Sequence, residues 1–285
     1  VVLSDERMSL LLRAIYDEDS LVELARSPEE ALRDVDEAIA ATHEPGLHLV
    51  KLYLLLLSGR PAAALAHFQS AFHEISSSLD VLREYLLLAY QLGCRSSCDA
   101  VLREVEGRVL GGGDPRLGLW LGETLVFIAY TLPPEERRRY AKWAVEVLEE
   151  ARRRVPVQLK ERADLLLRLA RKMRRGDLVP SLGMAIRMVL FNEELARELE
   201  KRHGLGEPDP ELARRIYLAS RFYGEERCST CPRPPGLRDA CRRGLLPCIY
   251  EPVFELYVKL QGDVEPPDWA LEKSRILTAL RGRGE

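Results

Sequence analysis

Apolar positions recur at spacings of three and four along most of this chain. Leu79, Leu82, Leu86, Leu87 and Tyr90 follow that spacing, which places one face of a helix against its neighbours. Helix starts are marked independently. Ser27-Pro28-Glu29-Glu30 offers an N-cap, a first-turn proline and a capping-box glutamate. Pro61 after Arg60, and Pro133-Pro134 before Glu135-Glu136, stand at further starts. No alternating run predicts a strand, so the chain is expected to be all-α. Beyond Gly176 the pattern changes: Met184, Ile186, Met188, Val189, Leu190 and Phe191 form an apolar block that is expected to be core. Asp209-Pro210 then opens a helix through Phe222. Val253, Leu256, Tyr257 and Leu260 mark a short amphipathic helix, and Trp269 to Leu280 a last one.

Small and aromatic residues also return at fixed offsets. Gly59 ends one helix, and Ala64, Phe68 and Ala71 line the inner face of the next. Thirty-three residues earlier the same slots hold Ala31, Val35 and Ala38. Thirty-four residues later they hold Cys98, Leu102 and Val105, with Gly93 in the place of Gly59. A fourth set, Ala144, Leu148 and Ala151, arrives twelve residues late, after the Gly111 to Gly113 loop and a longer helix around Trp120. This spacing resembles the second half of tetratricopeptide repeats. Two departures stand out: His48 occupies the first-helix aromatic slot of the best repeat, and the first copy has an acidic entry at Asp17 to Asp19. The resemblance covers residues 5–176 and implies an α-solenoid of antiparallel helix pairs with a partner-binding surface. Residues 177–285 are then expected to form a small helical domain with a four-cysteine metal site.

Composition narrows the class. Of 285 residues, 46% are hydrophobic and 31% charged, as in a folded protein, and the formal net charge of −3 gives no chain-wide field for nucleic acid or membrane. The apolar runs Leu52 to Leu57 and Leu125 to Leu132 are far shorter than the roughly 20 residues of a bilayer span. Val1 to Leu12 carries Asp5, Glu6 and Arg7 before any apolar run, unlike a secretion signal, so a cytoplasmic location is expected. Asn192 is the only asparagine in a chain rich in Arg, Glu and Leu, a bias found in heat-loving organisms, where intracellular disulfides are admissible.

Signals for catalysis are weak. His43, His48, His67, His73 and His203 are scattered, with no His-Glu-x-x-His spacing. Gly111-Gly112-Gly113-Asp114 lacks the following Lys-Ser or Lys-Thr of a phosphate loop and is expected to be a plain turn. Arg168, Arg171, Lys172, Arg174 and Arg175 collect at a helix C-terminus, where they complement the backbone dipole. Cys98 falls in the repeat slot of Ala31 and Ala64, so packing is its expected role, with a disulfide or ligand role alongside Cys94 as the alternative.

The strongest chemical signal is Cys228-x2-Cys231-x9-Cys241-x6-Cys248, four thiols within twenty-one residues. Such a set suits zinc, as a closed tetrathiolate site contributing ~10–16 kcal/mol of apparent binding free energy to folding. A four-iron, four-sulfide cluster is the alternative cofactor, although no standard ferredoxin spacing is matched, and disulfides are the third reading. Arg227, Arg233, Arg238, Arg242 and Arg243 surround these thiols. They offset thiolate charge, or else contact nucleic acid together with Phe222 and Tyr223. Three functional classes follow: a non-enzymatic protein-binding adaptor, which is the expectation; an accessory subunit of a DNA- or RNA-processing complex; and a redox or iron–sulfur enzyme.

Overall fold

The computed structural model describes residues 2–282. The chain opens with α1 (Asp5–Arg13), α2 (Glu18–Ala25), α3 (Pro28–Thr42), α4 (Gly46–Leu57), α5 (Pro61–Ser70) and α6 (Phe72–Ile75). Next come α7 (Leu79–Gln91), α8 (Ser96–Leu110), α9 (Pro115–Thr131), α10 (Pro134–Arg154) and α11 (Val157–Arg174). The remainder forms α12 (Leu182–Phe191), α13 (Glu193–His203), α14 (Pro210–Phe222), α15 (Glu225–Ser229) and α16 (Pro235–Arg242). A 3-10 turn at Glu251–Val253 leads into α17 (Phe254–Gln261), and α18 (Asp268–Arg281) is last. No strand is present among the described residues, and none of their helices is long and apolar enough to cross a membrane. The all-α expectation therefore stands.

Helix ends are set by local chemistry. Asp17 accepts from the backbone N–H of Asp19 and Ser20, so the acidic stretch at Asp17 is the N-cap of α2. Asp114, Ser181, Asn192 and Asp209 cap α9, α12, α13 and α14 in the same way. Ser27 differs from expectation: it precedes α3, but its side chain makes no capping hydrogen bond, and Pro28 in the first turn does the starting. Gly59 and Gly93 both take positive φ, 69° and 98°. At the first, Arg60 N–H donates to Leu55 O at 2.9 Å and Gly59 N–H to Leu56 O at 3.0 Å, and Cys94 and Gly93 repeat the pattern after α7.

The chain divides into two compact units, residues 1–85 with 180–285, and residues 86–179, the boundary falling inside α7. This differs from the linear division at residue 176. The chain does leave the second unit near there, but its first 85 residues group with the C-terminal part. The reason lies in which faces are buried. In the first unit α17 packs on α2, the 3-10 turn packs on α4, and α12, α14 and α18 pack on one another. Met184, Ile186 and Val189 of the apolar block are buried there.

In the second unit α10 packs on both α9 and α11. A Cβ at Gly118 would meet Ala151 at 3.4 Å, and one at Gly122 would lie 2.3 Å from Leu148 Cδ2, so glycines let α9 and α10 approach closely. Because 118 faces 151 while 122 faces 148, these two helices are antiparallel. Arg152 pairs with Asp164 and Arg171 with Glu149, so α10 and α11 are antiparallel as well.

Candidate functional site

The four C-terminal cysteines lie on a short strap of the first unit. Cys228 is in α15, and the turn after it, closed by Cys231 N–H donating to Cys228 O at 3.2 Å, carries Cys231. Cys241 sits near the end of α16, and Cys248 in the segment before the 3-10 turn. Gly244 reverses the chain between them with φ 78°, and a Cβ there would lie 2.4 Å from Met184 O, so the strap rests directly on α12.

All four are free thiols, Cys241 buried and the others half-buried. Arg233, only 3% exposed, donates from Nη1 to Cys241 Sγ at 2.7 Å and to Pro247 O at 3.2 Å. Cys248 Sγ accepts from Tyr250 N–H at 3.5 Å, and Cys228 Sγ points at Tyr223 O, 4.0 Å away. Burial raises the pKa of Cys228 and Cys231 and pushes Cys248 up to about 12, and the neighbouring Cys241 adds to the rise in each. Among the described residues, no group of three or more His, Cys, Asp and Glu side chains stands close enough to hold a metal ion. Cysteine sulfur is a metal-ligand type, but these side chains as placed do not form a metal-holding group.

A residue that sequence reasoning passed over stands beside the strap. Arg187 of α12 is 1% exposed; its Nε donates to Cys241 O at 2.8 Å and its Nη2 to Leu246 O at 2.7 Å. Its guanidinium lies 4.9 Å from the centre of the Tyr223 ring. Nη1 has no hydrogen-bond partner, and neither has Glu251 Oε2, 3.6 Å away. Burial works against the charge on Arg187, but Tyr223, Cys248, Glu251 and Cys241 together outweigh it and raise its pKa. The only signal in the sequence was an arginine inside the apolar block.

The arginines singled out from the sequence have internal partners. Arg227 lies over Phe222 and Tyr250 and donates to the carbonyls of Phe222, Leu56 and Leu57. Burial lowers its pKa. Arg238 reaches Cys228 O at 3.5 Å, Arg242 lies over Phe191, and Arg243 is 3.8 Å from Asp239. Phe222 and Tyr223 are buried, packed with Phe254, so they form no exposed stacking platform.

Two further groupings differ from expectation. Cys94 and Cys98 are joined in a disulfide while Cys98 stays buried in its repeat slot, so packing and bonding coincide. Cys94 precedes α8, so the pair does not have to span two positions of a single helix. The histidines are not all scattered in space: His43 and His48 both contact Glu74, and His48 Nδ1 is 2.7 Å from His67 Nε2. Sequence separations of 19 and 26 residues hid this cluster. No family model, curated protein or solved structure matches the chain.

Proposed function

We propose that this chain is a non-enzymatic protein-binding scaffold, an adaptor whose helix pairs hold protein partners while a structural metal–thiolate centre fixes its C-terminal strap. The observation that carries the reading is burial at the repeated offsets. Ala31, Ala64, Cys98 and Ala144 are all buried, and so are Val35, Phe68, Leu102 and Leu148 four residues on. A small residue in the same slot of α3, α5, α8 and α10 allows close helix pairing, and stacked pairs leave a continuous surface for ligands.

Cys228, Cys231, Cys241 and Cys248 would hold zinc, with a four-iron cluster as the alternative. Either centre would supply a cross-link between segments too short to fold alone. Arg187 and Arg233 support this part of the reading, because two buried guanidiniums offset the negative charge of a tetrathiolate. The test is reconstitution of the full chain with a protein co-isolated from its own cells. A stoichiometric complex that changes little with salt is expected. No re-formed complex, or instead steeply salt-dependent binding of DNA or RNA fragments, would overturn the reading in favour of a nucleic-acid accessory subunit.

A further inference from the structure

The Cys94–Cys98 disulfide closes a turn that the same chain closes elsewhere without one. After α4, Gly59 takes positive φ and Arg60 N–H donates to Leu55 O at 2.9 Å. After α7, Gly93 takes positive φ and Cys94 N–H donates to Ala89 O at 2.9 Å. Cys94 thus stands where Arg60 does and Cys98 where Ala64 does, and both Ala64 and Cys98 are buried. Arg60 and Ala64 reach this geometry with no covalent link, so the bond is not what shapes the turn. It adds little as a staple, because it joins residues only four apart and the unfolded chain loses least freedom when a short loop is tied. Hydrogen bonds already hold both ends. Arg95 donates from Nη1 to Tyr90 O and Cys94 O, and from Nε to Glu136 at 2.6 Å. Asp99, next to Cys98, accepts from the hydroxyls of Tyr90 and Tyr140 at 2.6 and 2.8 Å.

The two sulfurs differ in access. Cys98 is 4% exposed, whereas Cys94 is half-buried in the turn. Gly93, Ser96 and Ser97 around it are exposed, and nothing lies within 4 Å of a Cβ at Gly93, so the approach to Cys94 is open. Ser97 Oγ is 3.1 Å from Cys94 Sγ, and because a disulfide sulfur carries no proton, the hydroxyl donates. Cys98 lies in the first turn of α8, whose start has no side-chain cap. Backbone N–H groups there lack intrahelical acceptors and favour a thiolate.

We propose that Cys94–Cys98 is a reversible redox site that exchanges with a low-molecular-weight thiol through Cys94. The thiolate of that thiol attacks Cys94 Sγ; a mixed disulfide forms, the Cys94–Cys98 bond breaks, and Cys98 leaves as a thiolate. A second thiolate attacks the small-molecule sulfur of the mixed disulfide and expels Cys94. The protons released by the two attacking thiols end on Cys98 and Cys94. Two small thiols are thereby oxidised to one disulfide, and the protein pair is reduced to two thiols. The hydrogen bonds of Arg95 and Asp99 keep the turn in place throughout.

The probe is glutathione, applied to the full chain in buffers spanning ratios of its reduced to its oxidised form, followed by acid quenching, alkylation and tryptic peptide mapping. Cleavage after Arg95 puts Cys94 in residues 84–95 and Cys98 in residues 96–103, so the bonded pair is read as one joined peptide, apart from the other four cysteines. Joined and separate peptides are expected to cross over within the series, at the same ratio from oxidised and from reduced protein. Cys98→Ala, which gives the slot the residue found at positions 31 and 64, should trap glutathione on Cys94. Cys94→Ser should leave Cys98 at least about tenfold slower to react. Thermal unfolding close to that of the wild type shows that the variants are folded; if one is not, the wild-type titration still decides. A joined peptide that survives excess reduced glutathione in the folded protein, but not after denaturation, would make the bond a permanent staple and overturn the proposal. So would reduced thiols that never rejoin in oxidised glutathione. Trapping on Cys98 in preference to Cys94 would overturn the assignment of the exchanging sulfur.

Discussion

His48 is enclosed almost completely, and its two ring nitrogens bind different groups, Nδ1 to His67 Nε2 and Nε2 to Glu74 Oε1, each at 2.7 Å. A carboxylate only accepts, so neutral His48 carries its proton on Nε2 and takes another hydrogen bond at Nδ1 from His67. Burial, then the nearby Lys51 and His48, lower the pKa of His67 to about 4, against the opposing pull of Asp36 and Glu74. A histidine whose folded pKa is lowered binds its proton more readily when unfolded. Its stabilisation is complete above pH about 6.5 and is lost as pH falls toward 4. Thermal unfolding should therefore drop across that window in the wild type, and drop less in His67→Gln; equal slopes for the two proteins would refute the coupling. Glu74, held low first by its hydrogen bond from His48, adds a loss in the same direction at lower pH.

Arg187 offers a second residue-level test. Arg187→Met removes the donors of Cys241 O and Leu246 O and should cost about 2–4 kcal/mol in chemical denaturation. An unchanged midpoint would show that these carbonyls do not depend on the guanidinium. Neither feature was legible from spacing. A histidine cluster assembled across tens of residues and an arginine buried by strangers in sequence leave no periodic trace, whereas the thiol quartet was visible because its members are close along the chain.

Elements were far more legible. Pro28, Pro61 and Pro134 stand in first turns, and Gly59 and Gly93 end helices, because those residues act through their own backbone geometry. The face read for α7 was less complete. Leu82, Leu86 and Tyr90 are buried as the spacing requires, but Leu79 is exposed and Val81, Tyr85, Leu88 and Ala89 are buried too. A helix covered on several sides loses the one-faced pattern that periodicity detects. Close approach of α9 and α10 depends on Gly122, where a Cβ would meet Leu148 at 2.3 Å. Gly122→Ala should destabilise by about 1–3 kcal/mol through overpacking, even though alanine is the better helix former. A gain in unfolding midpoint would mean that Leu148 moves aside without cost.

At the scale of the whole chain, the grouping of residues 1–85 with 180–285 sets how damage at the strap spreads. Arg227 ties the strap to the end of α4 through Leu56 and Leu57, a link between residues some 170 positions apart that no local pattern encodes. Cys228→Ser or Cys248→Ser should consequently raise hydrogen exchange in both segments of the first unit, with residues 86–179 retaining protection. Exchange confined to residues 180–285 would instead support a linear domain division.

A metal–thiolate centre on the strap of four thiols, beside the buried Arg187 and Arg233, is the proposed brace of the first unit. Metal and sulfide analysis with an absorption spectrum, on full chain purified without oxygen, bears on it most directly. About one zinc per chain is expected, or about four irons with matching sulfide and visible absorption, lost on Cys228→Ser. Wild-type protein that binds neither and unfolds identically with and without chelator would contradict it.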